Sequence, residues 1–428
     1  MNPLPTALPT ILVKPGEADR LLSGHPWLYE GGVLRVTVEP KDGDVVQVKD
    51  HRQRLLGIGF WKSRSRIRVR VLAPERVEID QAFFEQRIRE ALAVRQKHMP
   101  GASSFRVVNA ESDFLSGLIV DKYEDVLALQ ISSLGMDRRR AEILGALQAI
   151  FSPRAILDRS DTNSRKFEGL EESRGLLAGE FAGLTVGGAA VPAAARPAGV
   201  PPAASASEID VTLNGLTFAA DLLTGHKTGL YLDQQTSYAH VAKLCPGANV
   251  LDCFSFLGGF ALHAARAGAA RVHGVDQSAD AIAAATRNAA QNGLAEKCSF
   301  ETVNVFDWLK AATAVAPHER VIPRYDVIVL DPPSFTRTRA AVEDALRGYK
   351  EIHLRALKLL KRGGTLATFC CSHHVSAELF QDVILSAAYD ARKVLRRVAT
   401  YSQSPDHPVI PSIPETEYLK GFAFEVVR

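Results

Sequence analysis

The chain has 428 residues, 46% hydrophobic and 23% charged, which is too long for one ordinary core and suits two or three globular domains. No run of about 18 apolar residues occurs and the proline-broken N-terminus is no signal peptide, so neither a membrane span nor export is expected. Five cysteines without a CxxC or Cys/His zinc spacing exclude a disulfide framework and a metal site and point to a cytoplasmic protein, while a net charge of only +3 restricts any nucleic-acid contact to a local patch.

Short strands with turn signals at 10–13, 44–48, 55–60 and 67–72 predict a small all-β domain over residues 1–75. Residues 76–186 read as an α+β domain, with helices over 80–98 and 138–151 and a strand at 126–131. Residues 187–207 are an Ala/Pro-rich stretch that cannot build a core, and predict a linker or loop. From 208 to 428 strands alternate with helices. Strands are expected at 249–256, 270–276, near 300–305, at 325–331 and 365–371, and near 393–401 and 418–427. Helices are expected at 260–267, 279–292, 340–361 and 376–391, which makes this part an α/β, doubly wound, mainly parallel sheet.

Two of these strands end in chemistry. The first is Tyr325-Asp-Val-Ile-Val-Leu-Asp331-Pro332-Pro333-Ser-Phe335, and the second runs into Cys370-Cys371-Ser372-His373-His374. A carboxylate and a thiol at the carboxyl ends of neighbouring parallel strands share the crevice in which open α/β sheets bind ligands. Side chains alternate faces along a strand, so only one of the two cysteines reaches that crevice. Cys371 is read as the nucleophile, against a buried small side chain; the histidines are read as loop residues without a role. Phe335 is read either as a stacking platform for a base or as core.

Val250-Leu-Asp252-Cys-Phe254-Ser255-Phe-Leu-Gly258-Gly259 reads as strand, turn and helix start, where glycines let the backbone approach a ligand or simply permit a tight turn. Asp276 ends the next strand, a position from which an acid accepts hydrogen bonds from ribose hydroxyls. Lys227 and Gln234 flank a glycine turn before the first strand and are either ligand groups or a solvated loop. Asn304 is read as meeting an adenine edge, and Asp307 either as doing the same or as capping the following helix. In the N-terminal domain Lys62, Arg64, Arg66, Arg68 and Arg70 alternate. On a strand they would share one face over roughly 26 Å and either track phosphates or form a solvated face.

These motifs resemble those of the RlmI-type methyltransferases, bacterial enzymes that use S-adenosylmethionine to make 5-methylcytosine in 23S ribosomal RNA. The resemblance rests on Gly225-His-Lys-Thr-Gly229, Asp252 to Phe260, Asp331-Pro-Pro-Ser-Phe335, Cys371-Ser372, Asp406-His-Pro-Val-Ile410 and Tyr418-Leu-Lys-Gly-Phe422. Lys14-Pro-Gly16 and Gly24-His-Pro-Trp27 resemble the family's PUA domain, an RNA-binding β-barrel; Val107 to Glu111, Gly117 to Asp121 and Arg159-Ser-Asp161 resemble its central domain. The resemblance implies a class I, Rossmann-like methyltransferase domain in which Lys227, Gln234, Asp252, Phe254, Ser255, Gly258, Gly259, Asp276, Asn304 and Asp331 hold S-adenosylmethionine. It further implies that Cys371 and Asp331 face the target base, with Pro332, Pro333 and Phe335 beneath it and Arg64, Arg66 and Arg68 on RNA. The partner would be 23S ribosomal RNA, free or in an assembling large subunit, with no membrane; oligomeric state, a homodimer included, is left open. Residues 187–207 are longer than the family's link, and Cys370 precedes the expected nucleophile.

Two other readings remain. Asp-Pro-Pro at a strand end also suits methylation of an exocyclic base nitrogen, which needs no cysteine. A non-catalytic RNA-binding or ribosome assembly factor would keep the fold without binding the cofactor. A nicotinamide dehydrogenase would use Asp276 alone and is the weakest.

Overall fold

The computed structural model describes residues 8–185, 207–225, 228–316, 318–336 and 338–428. The expected Ala/Pro linker, Ser207 apart, and Lys227 lie outside the described residues. The chain divides into two compact units. The first takes in Met1–Val211, Ala220–Leu232 and Pro405–Thr416, and the second Thr212–Ala219, Asp233–Ser404 and Glu417–Arg428. Within the expected domain of residues 208–428, Ala220–Leu232 groups with the first unit, as does Pro405–Thr416. There Asp406 accepts from the Arg106 amide (2.9 Å) through its carboxylate and from buried Arg95 (2.7 Å) through its carbonyl.

The first unit holds two six-stranded sheets. Strands Thr10–Val13, Trp27–Tyr29, Val33–Val36, Val45–Lys49, Leu55–Trp61 and Ile67–Ala73 make one, closed over Ile11, Val13, Leu28, Val46, Val48 and Val69. The other carries helices Gln81–His98 and Arg140–Phe151. Asp80 starts the first of these helices by accepting from the Phe83 amide. Ile58, Phe60 and Leu72 of the first sheet share a core with Phe84, Ile88 and Leu118.

The expected face of five cations is not formed. The last strand of that sheet begins only at Ile67, and residues 63–66 form the turn before it. A hairpin turn consumes the alternation that a continuous strand would have displayed. Lys62 pairs with Asp42 (2.9 Å), Arg68 with Glu30, and Arg70 with Glu111 (3.4 Å) and Glu168 (3.2 Å). Arg64 and Arg66 are exposed.

The second unit is built on a seven-stranded sheet. Its strands are β1 (Asn249–Cys253), β2 (Arg271–Asp276), β3 (Cys298–Thr302), β4 (Tyr325–Leu330), β5 (Leu360–Cys370), β6 (Leu395–Tyr401) and β7 (Lys420–Val426). Helices α1 (Gly259–Arg266), α2 (Ala279–Gln291), α3 (Val305–Ala312), α4 (Val342–Leu359) and α5 (Ala377–Asp390) follow the first five strands in turn. The strand order is β3-β2-β1-β4-β5-β7-β6, with β1 to β5 parallel and β7 antiparallel to both its neighbours. The order reverses between β1 and β4, and a ligand crevice opens at the carboxyl ends beside such a reversal. Apolar runs such as Val327–Leu330 suit strands covered by helices on both faces. No helix among the described residues is long and apolar enough to cross a membrane.

His353 on α4 ties that helix to β5. A carbonyl can only accept, so Nδ1 donates to the Tyr349 carbonyl (2.6 Å), and Nε2 accepts from the Thr368 hydroxyl (2.8 Å). Burial pushes this imidazole from 6.5 down to about 4, and His263 likewise to about 4. Between those values the unfolded chain binds more protons than the folded one. Stability contributed by the neutral rings is complete above pH 6.5 and is lost as pH falls towards 4. We expect the denaturation free energy to fall between pH 7 and 5 by chemical denaturation, and to fall less in His353→Gln, which removes that ring's share.

Candidate active site

The chain leaves β1 at Cys253 and reaches α1 through a turn in the left-handed region, with φ of 63° at Phe254, 49° at Phe256 and 85° at Gly258. Such φ at two bulky aromatic residues stores strain that neighbouring contacts must hold. The amides of Phe254 and Ser255 donate to the Val275 carbonyl (2.9 and 3.1 Å). Asp276, half-buried at the end of β2, accepts from the Phe256 amide (3.0 Å) with one oxygen and from the Ser278 amide (2.9 Å) with the other. A carboxylate has about four acceptor positions, so these bonds fix Asp276 and leave capacity for hydroxyl donors.

Asp252, expected to contact the cofactor, is fully enclosed. Its Oδ2 accepts from the Ser255 hydroxyl (2.7 Å) and the Ala261 amide (3.0 Å), so it fastens the turn to the start of α1. Burial, with the Asp276 charge adding to it, pushes its carboxyl up to about 7. Its Oδ1 and the Oε1 of buried Gln234 meet no hydrogen-bond partner among the described residues. Asn304, not Asp307, caps α3, accepting from the Phe306 (3.0 Å) and Asp307 (3.3 Å) amides through Oδ1. That leaves its NH2 group for a base edge. Next to the undescribed Lys227, Arg159 donates to the Gly225 carbonyl (2.7 Å) and Thr228 to Asp121 (2.6 Å), all within the first unit.

The loop after β4 carries Asp331, whose Oδ1 accepts from Gln234 Nε2 (3.1 Å). Pro332 is buried, while Pro333 and Ser334 are exposed. Ser334 gives its proton to the Thr336 carbonyl (2.8 Å), so the Ser372 hydroxyl donates to Ser334 (2.9 Å) and the Tyr349 hydroxyl to Ser372 (3.3 Å). This chain of hydroxyls joins the loop after β4 to the loop after β5. Phe335 is half-buried, its ring packed against Tyr349 (4.6 Å between centroids) and Phe306 (5.6 Å) at the edge of the core.

The two cysteines separate by face. Cys370 is 0% exposed, belongs to the core and hydrogen-bonds the Tyr349 hydroxyl. Cys371 is half-buried, one residue past the strand. Lys420, first residue of β7, pairs with Cys370 in the ladder and donates from Nζ to the Ser372 carbonyl (2.8 Å). His373 and His374 are exposed, and the His373 ring lies 5.6 Å from that of Tyr418. Sequence reasoning missed Tyr349, Ser372 and Lys420 as members of this site. Tyr349 falls in the apolar stripe of α4, and only the placement of Lys420 in a quoted motif marked it at all.

Two family models match the chain. Residues 11–74 match the PUA-like domain family, and residues 202–418 the S-adenosylmethionine-dependent methyltransferase family. The chain is 37% identical over 423 residues to ribosomal RNA large subunit methyltransferase I of Klebsiella pneumoniae strain 342, covering 98% of each chain. It is 38% identical over 420 residues to the protein of that name from Shewanella amazonensis, covering 97% of this chain and 99% of that one. Among solved structures, a candidate SAM-dependent methyltransferase from Streptococcus mutans superimposes with a TM-score of 0.76 at 19% identity, covering 97% of this chain and 100% of that one. A candidate methyltransferase in complex with SAH gives 0.77 at 20% identity with the same coverage, a likeness of fold.

A Cβ added at Gly259 would lie 2.6 Å from Cζ of Tyr238, whose ring is wedged against Phe260 and His263. We expect Gly259→Ala to displace the turn and weaken S-adenosylmethionine binding by about tenfold or more, ~1.4 kcal/mol, by calorimetry, with the circular dichroism of the fold retained.

Proposed function

Because this chain belongs to the S-adenosylmethionine-dependent methyltransferase family of ribosomal RNA large subunit methyltransferase I, we propose that it methylates carbon 5 of a cytosine in 23S ribosomal RNA through a covalent bond from Cys371 to carbon 6. The observation that carries this reading is the Ser334–Ser372 hydrogen bond, which tethers the Asp331 loop to the Cys371 loop beside the reversal in strand order.

The residues present fit the cofactor. Asp276 has acceptor capacity for ribose hydroxyls, Asn304 an NH2 for adenine, and the orphaned Oε1 of Gln234 suits a cationic or N–H donor. When bound, S-adenosylmethionine supplies a methyl group made electrophilic by its sulfonium, which an activated carbon 5 takes. Carbon 5 of cytosine is by itself a poor nucleophile. Addition of the Cys371 thiolate to carbon 6 forms the S–C bond and moves the 5,6 π pair, giving carbon 5 enamine character. Asp331, oriented by Gln234, offers a proton or hydrogen bond at N3 as charge develops there. Loss of the carbon 5 proton then restores the double bond and expels the thiolate. A cytosine stacked in a helix is out of reach, so the target is single-stranded or flipped.

To test this, 23S ribosomal RNA lacking the modification is incubated with S-adenosylmethionine, digested and analysed by mass spectrometry. We expect 5-methylcytidine from the wild type, none from Cys371→Ala, and a rate lowered by about 10²-fold or more in Asp331→Ala. A methyl group on a base nitrogen, or an unimpaired Cys371→Ala, overturns the covalent mechanism.

RNA contact by the PUA-like domain rests on Arg64 and Arg66, since Lys62, Arg68 and Arg70 are neutralised by acids. Replacing both by alanine is expected to weaken binding of a ribosomal RNA fragment and to reduce the log K against log salt slope by about 1.4–1.8. Arg70→Ala, which breaks structural pairs, is expected to lower stability instead.

A further inference from the structure

We propose that Lys420 is a positioning residue for the covalent step: its ammonium stabilises the thiolate of Cys371 and fixes the turn that presents it. The inference rests on the reading of Cys371 as nucleophile and adds the group that sets its ionisation.

Three observations converge on it. In the antiparallel ladder between β5 and β7, Lys420 stands opposite Cys370, so its stem starts beside the strand end that delivers Cys371. Its Nζ donates to the carbonyl of Ser372, the residue after Cys371, at 2.8 Å. The same Ser372 is also held by Tyr349 and Ser334. The backbone around Cys371 is thus gripped by the ladder, by a hydroxyl chain and by a cation. Burial holds the Lys420 ammonium below its ordinary value, while the thiols of Cys370 and Cys371 and the carboxylate of Glu417 act the other way, so the cation lies within electrostatic reach of both thiols.

Four other titratable groups near this point carry no positive charge. Cys370 and Tyr349 are buried and hydrogen-bonded to each other, and burial pushes the Tyr349 phenol upwards, which keeps it neutral. On the β6 side Tyr401 stands opposite Gly421, and burial raises its phenol too. Glu417 is an anion and opposes thiolate formation. An opposite charge at close range lowers a thiol pKa by about one unit or more, the released proton passing to solvent.

The test is the pH dependence of Cys371 alkylation by iodoacetamide, read by peptide mass spectrometry on the full chain without cofactor or RNA. We expect a wild-type midpoint clearly below the ~8.5 of an ordinary thiol, raised by about one unit in Lys420→Met and restored in Lys420→Arg. The acid limb of the methylation rate should move in the same way. A wild-type midpoint at or above ~8.5 overturns the proposal without any variant. So does an unchanged midpoint in Lys420→Met, or a Lys420→Arg midpoint displaced as far as that of Lys420→Met, which would mark a role of shape. If Cys371→Ala keeps full methylation activity the nucleophile reading fails, whereas the alkylation midpoints still report on the Lys420–Cys371 coupling.

Discussion

The site depends on the register of three parallel strands. Cys253 of β1 stands level with Leu330 of β4, and Leu330 with Thr368 of β5. The three strands therefore release their chains within a few residues of one another on one edge of the sheet. There the cofactor turn, Asp331 and Cys371 emerge side by side. The register is set by apolar side chains on both faces, Leu251, Ile328 and Leu366 among them. A slip of one residue in β5 would turn Cys371 into the core and Cys370 out of it. Positioning of Cys371 is therefore a property of the core.

Burial then assigns different work to residues of the same type. Asp252 and Asp276 both end strands, yet Asp252 is enclosed and braces the turn internally, while Asp276 is half-buried and keeps acceptor capacity. Cys370 and Cys371 are neighbours, yet one is core and the other stands at the rim. The turn itself is strained at Phe254 and Phe256, and the Val275 carbonyl and Asp276 carboxylate hold it by its amides. Strain concentrated where backbone must approach a ligand is a recurrent property of such sites.

Much of this was legible in the sequence. Apolar runs ending in Asp331, Cys370-Cys371 and Asp276 gave the strands and their edge, because a strand buried on both faces needs a continuous apolar run. What failed had a physical cause. Alternating cations at 62–70 are compatible with a strand face and with a hairpin turn, and only the fold shows that the turn consumes residues 63–66. Phe335 has the same composition as a platform or as core, and its contact with Tyr349 is set by α4. The Ser334–Ser372 bond joins residues 38 positions apart, and no local pattern announces it. Positive φ at Phe254 and Phe256 is likewise invisible, since aromatic residues carry no signal for it.

For the proposed thiolate, one nearby cation is what the chemistry favours. Lowering a thiol pKa from ~8.5 by about one unit raises the thiolate fraction at neutral pH about eightfold. Nucleophilicity falls with basicity, with a Brønsted slope of ~0.4–0.5, which takes back about threefold and leaves a net gain of roughly two- to threefold. A second cation would add little, because once the pKa drops below ambient pH the thiolate already predominates and only its reactivity continues to fall. The last step reverses the first, with sulfur as the leaving group, and a less basic thiolate leaves faster. In the proposed mechanism a single, partly buried ammonium such as that of Lys420 would assist both formation and breakdown of the adduct. A fully buried one would be costly to keep charged, and an exposed one would be screened by water.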